Sequence, residues 1–440
     1  MDTIAAIATP RGNGGIGIIR ISGPEAPQIA EKICGILPIP RTATFRNFRD
    51  PHQQILDQGL ALFFPKPNSF TGEDVIELQG HGGMVVLDMI LQATVDHGAR
   101  LAKPGEFSER AFLNDRIDLA QAEAIADLIE SNNRSAAKLA MRSLVGEFSQ
   151  CVNEVALKTE AMRLFVEAAI DFPEEEIDFL AESDICEKIS GCRELLVDLI
   201  SKSDSGSLIR EGLKVVLCGA PNVGKSSIMN RLSGRQRAIV SSEPGTTRDL
   251  IEDGIVLDGI NINLIDTAGF RDDPGEIEQQ GIRLAENAVR NADLVLYIRD
   301  SSKLLGDDLL HFLDDTNRVL TVWNKIDLNE ENEERERTEN EVFVSAKTGA
   351  GIESLGSIIR KTAIGEQDES NLFLARQRHL ESLQRALKHI DGAKYQTAIG
   401  MGELVAEELR SAHQALGEIT GEVSSDDLLG KIFSSFCIGK

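Results

Sequence analysis

The sequence predicts a multidomain α/β protein: an α+β N-terminal module, an all-α helical domain in two separated pieces, and a βα domain inserted between those pieces. Three observations lead there. Short β-like runs punctuated by Gly, Pro and Asn fill residues 1 to about 117; Ala-, Leu- and Glu-rich stretches with helical spacing run from about Ile117 to 200 and resume after about Asn371; and five short loop motifs, most of them following apolar runs, occupy residues 214 to 347. The domain boundaries expected are 1–117, 118–211, 212–366 and 367–440.

In the first module the β-like runs are Thr3 to Ala8, Gly15 to Ile21, Leu60 to Phe64 and Asp74 to Gln79. The following helices show in Leu119-Ala120-Ala122-Ala126-Leu128-Ile129 and in Leu157-Ala161-Leu164-Phe165-Ala168, and after the insert in Leu380, Leu387, Leu404, Leu409 and Leu416. Between them Ser201-Lys202-Ser203-Asp204-Ser205-Gly206-Ser207 reads as a hinge. A complete βα domain set into a helical one is cheap where chain ends lie close together.

The insert carries the chemistry. Gly219-Ala220-Pro221-Asn222-Val223-Gly224-Lys225-Ser226 fits G-x-x-x-x-G-K-[ST], follows the strand-like Lys214 to Cys218 and precedes a helix expected from Ser227. Glycines 219 and 224 let successive N–H groups face phosphate oxygens, helped by the helix N-terminus. Lys225 would reach the β- and γ-phosphates, and Ser226 and Thr247 offer hydroxyls to Mg²⁺. Asp266 ends the run Ile262 to Ile265 at the carboxyl edge of a sheet, where it can hold the metal's water shell, and Gly269 can turn its N–H to the γ-phosphate. Asn324-Lys325-Ile326-Asp327 follows Val319 to Trp323. The Asp327 carboxylate can accept from N1 and the exocyclic amine of guanine, a donor pair that adenine lacks. Ser345-Ala346-Lys347 adds a backbone N–H for the guanine carbonyl. The five together predict a guanine-nucleotide switch domain.

The position directly after Asp-x-Ala-Gly, where many small GTPases carry a glutamine to orient water, is Phe270. Another group must position the water and neutralise charge: the nearby acids are Asp272, Asp273, Glu276 and Glu278, and the nearby cations Arg248 and Arg271.

The 440 residues allow two to four domains, and a 42% hydrophobic, 27% charged composition is that of a soluble globular chain. No apolar stretch reaches membrane-span length and Met1-Asp2-Thr3-Ile4 starts no signal peptide, so a cytoplasmic location is expected. The six cysteines (34, 151, 186, 192, 218, 437) form no C-x-x-C pair and read as reduced thiols, most of them buried. A net charge of −25 argues against broad polyanion binding. Seven glutamates crowd between Asn329 and Glu341, a solvated surface segment.

Two motifs are set aside. Gly12-Asn13-Gly14-Gly15-Ile16-Gly17 satisfies G-x-G-x-x-G, yet a strand-like run, Ile18 to Gly23, follows it and no helix does, so a glycine-rich hairpin or ligand loop is expected. His81, in Gly80-His81-Gly82-Gly83, has no acid or nucleophile beside it in sequence and reads as a turn residue.

Beyond the nucleotide motifs, several strings resemble the tRNA modification GTPase family MnmE, also called TrmE. They are Asn68 to Asp74, Gly80 to Gly83, Pro104 to Ser108, Ala111 to Asn114, Asp118 to Ala124, Gly245 to Asp249 and the tail Phe436 to Lys440. The resemblance covers nearly the whole chain. It implies an N-terminal tetrahydrofolate-binding and dimerising domain, a helical domain and an inserted Ras-like P-loop GTPase domain of the TrmE type. It further implies installation of an aminomethyl or carboxymethylaminomethyl group at C5 of the wobble uridine (U34) of certain tRNAs. That reaction is joint with the flavoprotein MnmG, takes its carbon from 5,10-methylene-tetrahydrofolate, for which 5-formyl-tetrahydrofolate is an analogue, and uses GTP hydrolysis.

The resemblance also assigns residues. Potassium would be held by Asn222, Ser241, Glu243 and Thr246 as G domains pair across the homodimer, which accounts for Phe270. Glu278 would orient the water. Nucleotide contacts extend to Val223, Ser227, Ser242, Pro244, Gly245, Thr267 and Ala268, beside Gly224, Lys225, Ser226, Thr247, Asp266, Gly269, Asn324, Lys325, Asp327, Ser345, Ala346 and Lys347. Folate would meet Arg20, Glu77, Arg116 and Lys440; the family usually has lysine at the third of these. Cys437 lies in the family's terminal motif and is not assigned a role. The rival reading is a regulatory GTPase or assembly factor whose nucleotide state selects partners, for which a pterin pocket has no use.

Overall fold

A computed structural model of the chain describes residues 2–171, 184–234, 252–257, 260–266, 288–302, 318–328, 340–364 and 371–439. They divide into two compact units, one of residues 1–126, 144–192 and 388–440, the other of 127–143 and 193–387.

The first unit holds a six-stranded sheet in the order β3-β4-β5-β2-β1-β6, built from β1 (Ile4–Ile7), β2 (Gly14–Ser22), β3 (Thr44–Arg49), β4 (Ile55–Phe64), β5 (Val75–Gly82) and β6 (Arg100–Leu101). Strand alternation sends Ile19, Ile21, Ile76 and Leu78 into a core shared with Ile29 and Ile33 of α1 (Ala26–Cys34) and with Leu87 and Ile90 of α2 (Met84–Asp96). The alternate residues Arg20 and Glu77 therefore stand on the other face, paired in register. The glycine-rich segment feeds β2, antiparallel to β1 and β5, as a hairpin requires and a dinucleotide fold does not. Helix α3 (Glu106–Leu113) adds Phe107 to Ile4 and Ala6, while Phe433 and Phe436 of the C-terminal segment pack with Leu119 and Ala122. Helix α4 is Leu119–Glu130, α5 Arg134–Leu144, α6 Glu147–Asp171 and α7 Ile185–Glu211.

The expected hinge at 201–207 is instead part of α7. Packing overrides the Ser/Gly texture there: Ser203 is fully buried, Lys202 pairs with Asp198 at 2.6 Å one turn back, and a Cβ on Gly206 would lie 1.9 Å from the Phe373 carbonyl. The glycine costs the helix about 1 kcal/mol relative to alanine but permits that close backbone approach.

The second unit holds the sheet β12-β11-β10-β7-β9-β8, from β7 (Leu213–Cys218), β8 (Glu252–Leu257), β9 (Ile260–Asp266), β10 (Leu294–Asp300), β11 (Val319–Asn324) and β12 (Glu341–Phe343). All neighbours run parallel except β8 against β9. β9 and β10 flank β7 on opposite sides, so the loop after β7 lies at the point where strand order reverses, the usual ligand crevice of such sheets. Helix α8 (Lys225–Ser233) follows that loop and begins two residues earlier than the sequence predicts. Among the described residues the remaining helices are α9 (Ile352–Ile364) in this unit, α10 (Gln377–Ala398), which starts in it, and α11 (Gly402–Thr420) and α12 (Asp426–Ser434), which belong to the first unit.

Of the cysteines only Cys34 and Cys192 are fully buried, and Cys186 and Cys437 are exposed, against the expectation that most are buried. Burial pushes the Cys34 thiol up to about 12. No helix among the described residues is long and apolar enough to cross a membrane.

Candidate functional site

The loop after β7 has the backbone that phosphate binding needs. Gly219 sits at φ +149, and a Cβ there would lie 2.3 Å from the Ile298 carbonyl oxygen; Gly224 caps α8 at φ +101. Asn222 also takes a left-handed φ of +62 and is exposed at the loop's tip. Lys225 is buried; its Nζ donates to the Gly219 and Ala220 carbonyls at 2.9 and 3.1 Å, so the cation already lies along the loop's rim. Ser226 and Ser227 stand exposed on the first turn of α8, and Val223 is buried beneath the loop.

The Asn-Lys-x-Asp segment supports this loop before it touches any base. Asn324 is buried, donates from Nδ2 to the Val223 carbonyl at 2.8 Å and accepts from the Ala346 N–H at 3.0 Å, joining two loops that are 101 and 22 residues away in sequence. Lys325 donates from Nζ to the Asn222 carbonyl at 2.9 Å and to Asp300 Oδ2 at 2.7 Å. Asp327 is exposed and accepts from Ser345 Oγ at 2.6 Å, which fixes its carboxylate beside the Ser345–Lys347 loop. Asp300, which the motifs do not include, ends β10. Burial raises its carboxyl, but the Lys325 ammonium and the Ser302 hydroxyl and N–H outweigh that and hold it below the usual aspartate range.

These contacts bring together Asn222, Gly224, Lys225, Asn324, Lys325, Asp327, Ser345 and Ala346, with Ser226 next to Lys225 at the start of α8. Asp266 closes β9 beside β7, paired with Leu217. Of the two hydroxyls expected to meet Mg²⁺, Ser226 is among the described residues, and a hydroxyl oxygen is a ligand type that a hard divalent ion takes. Ser241, Ser242, Glu243, Pro244, Gly245, Thr246, Thr247, Thr267, Ala268, Gly269, Phe270, Glu278 and Lys440 lie outside the described residues.

A second polar cluster lies on the face of the first sheet opposite the core under α1 and α2. Arg20 donates from Nε and Nη2 to Glu77 Oε1 at 3.1 and 2.9 Å and from Nη1 to the Gly439 carbonyl at 3.4 Å. Its guanidinium lies over the Phe70 and Phe107 rings, at 5.5 and 5.8 Å. Arg116 is exposed, its Cγ 3.3 Å from where a Gly72 Cβ would stand, so it flanks the same 69–74 segment. The C-terminus is held here because Gly439, at φ +96, fits under the Ile7 carbonyl, where a Cβ would come within 2.3 Å. Together the carboxylate offers acceptors, the guanidinium donors and the rings flat apolar faces, a combination suited to a planar polar heterocycle.

His81 is a strand residue of β5 and not a turn residue. Across the sheet, Asp57 accepts its backbone N–H at 2.7 Å and lies 2.7 Å from its Nδ1. The carboxylate that sequence proximity failed to show is supplied by β4.

Behind the 69–74 segment stands a network that no motif announced. Arg110, 5% exposed, donates to Glu73 at 3.0 Å, Asp2 at 2.8 Å and Glu106 at 3.1 Å, and Arg100 donates to Asp2 at 2.7 Å and Glu106 at 2.6 Å. Hydrogen bonding from Arg100, with Arg110, drives the Asp2 carboxyl well below the usual range despite a burial contribution upward. Burial works to raise Glu106, but Arg100, the Lys103 N–H and Arg110 together hold it low. A carboxyl depressed on folding adds stability above its unfolded value, near pH 4, and loses that contribution as pH falls through its folded value. The urea midpoint of the first unit is therefore expected to fall steeply below about pH 4, and Glu106→Gln to flatten that slope while lowering the neutral-pH midpoint.

The chain matches the family model described as "MnmE helical domain" over residues 119–437 and that described as "GTP-binding protein TrmE N-terminus" over residues 3–116. It is 49% identical over 449 residues to the tRNA modification GTPase MnmE of Marinomonas sp. (strain MWYL1), covering 100% of this chain and 98% of that protein. It is 50% identical over 449 residues to that of Chromohalobacter salexigens, with the same coverage. Among solved structures it is similar to the G domain of the T. maritima FeoB iron transporter, at 30% identity over 34% of this chain and 98% of that one, with a TM-score of 0.26.

Proposed function

From a chain that belongs to the MnmE (TrmE) family of tRNA modification GTPases, and so hydrolyses GTP in tRNA modification, we propose a fuller activity: a potassium-activated enzyme acting with the flavoprotein MnmG on U34. The product carries an aminomethyl or carboxymethylaminomethyl group at C5, its carbon drawn from a one-carbon tetrahydrofolate. The observation that carries the enzyme reading over the pure switch is the Arg20–Glu77 pair, roofed by Phe70 and Phe107 and touched by the Gly439 carbonyl. A switch that only selects partners has no need of it.

In this reading 1–117 binds folate and dimerises, 118–211 and 367–440 form the helical domain, and 212–366 is the G domain. The protein works in the cytoplasm as a homodimer, joined to MnmG and tRNA. Glu77 meets the donor edge of the pterin, while Arg20, Arg116 and Lys440 meet its anionic parts; when bound, the folate supplies the one-carbon chemistry. Lys225, Gly224 and the Ser226 and Thr247 hydroxyls hold the triphosphate and Mg²⁺. Asn222, exposed at the loop tip, would hold potassium together with Ser241, Glu243 and Thr246, and the bound ion would supply the positive charge that an arginine finger supplies elsewhere. Glu278 orients the water. Asp327 and the Ser345–Lys347 loop select guanine.

Two measurements on the full-length protein test the reading. Arg20→Ala is expected to weaken 5-formyl-tetrahydrofolate binding at least about tenfold while leaving GTP affinity unchanged, since a charged hydrogen bond is worth about 1.5–3 kcal/mol. GTP turnover is expected to be faster in potassium than in sodium at equal ionic strength. Absence of folate binding by the wild type returns the chain to the switch reading, and equal turnover in the two salts removes the cation's role.

A further inference from the structure

The guanine loop is held from behind by a residue outside every nucleotide motif. Arg231, in the last turn of α8, donates from Nε to the Ala346 carbonyl at 2.8 Å and from Nη2 to the Lys347 carbonyl. Its planar fork thereby spans two consecutive carbonyls, a geometry that lysine cannot copy.

The consequence follows from peptide planarity. The Ala346 carbonyl and the Lys347 N–H belong to one trans peptide unit, so they point to opposite sides. With the carbonyl turned to Arg231, the N–H is turned away from it. The neighbouring amides are already engaged: Ser345 N–H with the Ala350 carbonyl at 2.9 Å, Ala346 N–H with Asn324 Oδ1 at 3.0 Å, Thr348 N–H with Ser345 Oγ at 3.1 Å and Gly349 N–H with the Ser345 carbonyl at 2.8 Å. Among the described residues, the Lys347 N–H makes no hydrogen bond.

We propose that Arg231 is a positioning residue for guanine recognition: by pinning the 346–347 peptide it aims the Lys347 N–H at the carbonyl oxygen on C6 of the base. The proposal rests on the reading above that this loop meets guanine. It also makes base recognition depend on α8, the helix that begins at the phosphate-binding Lys225, so a displacement of α8 is felt at both ends of the nucleotide.

The test compares GDP with 6-thio-GDP, which keeps the two donors facing Asp327 but replaces the C6 oxygen by a poorly accepting sulfur. The full-length wild type is expected to prefer GDP by about tenfold, the value of one hydrogen bond in a desolvated site. Arg231→Ala is expected to lose about tenfold in GDP affinity while its 6-thio-GDP affinity stays within about twofold, which abolishes the preference. Arg231→Lys should retain part of it. Equal weakening of both nucleotides by Arg231→Ala would make the residue a general structural one and overturn the proposal, as would an unchanged GDP affinity. A wild type that does not distinguish the two nucleotides would instead remove the loop reading on which the proposal stands.

Discussion

Gly224→Ala is expected to abolish nucleotide binding and to destabilise the second unit by about 2–4 kcal/mol, the sum of a left-handed backbone penalty and a severed buried hydrogen bond. Gly224 sits at φ +101, where an L side chain is strained. Its added Cβ would stand 2.2 Å from Asn324 Nδ2, the atom that donates to the Val223 carbonyl. Asn324 has no room to retreat, because it is 2% exposed and its Oδ1 is committed to the Ala346 N–H. One methyl group therefore disconnects the loop after β7 from the Ser345–Lys347 loop as well as distorting the start of α8. Denaturant titration and a fluorescent-GDP titration of the variant check both parts. Binding within about threefold of wild type would show that the loop adapts and that Asn324 does not couple the two halves of the site.

The contrast between Gly224 and Asn324 shows what the chain's sequence makes legible. A phosphate loop is written locally: its glycines, lysine and serine lie within eight residues, between an apolar run and a helix, and the structure places them accordingly. The alternating faces of β2 and β5 are equally local, which is why Arg20 and Glu77 stand on the face away from the core. Support for those groups is not local. Arg231 reaches a loop 115 residues on, Arg110 reaches Asp2 across 108 residues, and Asp57 lies 24 residues before the histidine it holds. None of these pairs leaves a pattern in one sequence, and so His81 read as a turn residue. Composition misled at 201–207 for a related reason: a Ser- and Gly-rich run resembles a linker until the residue that uses the missing side chain, Phe373, is known.

That same region carries the second large effect. Asp127, on α4, accepts from Arg210 Nε at 3.0 Å and from Arg376 Nη2 at 2.8 Å, and its side chain is only 4% exposed. Arg210 lies just before β7 and Arg376 just before α10, so one carboxylate ties the segment that enters the inserted domain to the segment that leaves it. Those two segments also meet directly, through the Phe373 N–H on the Lys202 carbonyl at 3.3 Å and the close approach at Gly206. Removing the carboxylate takes from both guanidinium groups the buried counter-charge they share, and Arg210 keeps only the more exposed Glu211, at 3.5 Å. A fully buried pair broken in this way costs about 3–5 kcal/mol, and because Arg210 and Arg376 keep 27% and 18% of their side-chain exposure the loss is discounted to about 2–3 kcal/mol. Asp127→Ala is thus expected to lower the denaturation midpoint strongly while leaving GDP affinity, measured in the folded baseline, close to wild type, since Asp127 touches no nucleotide group. Asp127→Asn should recover part of the loss by accepting one hydrogen bond. If Asp127→Ala were as stable as wild type, the closure of the insertion would rest on the direct meeting of 202–206 with Phe373, and Gly206→Ala would then be the more damaging change.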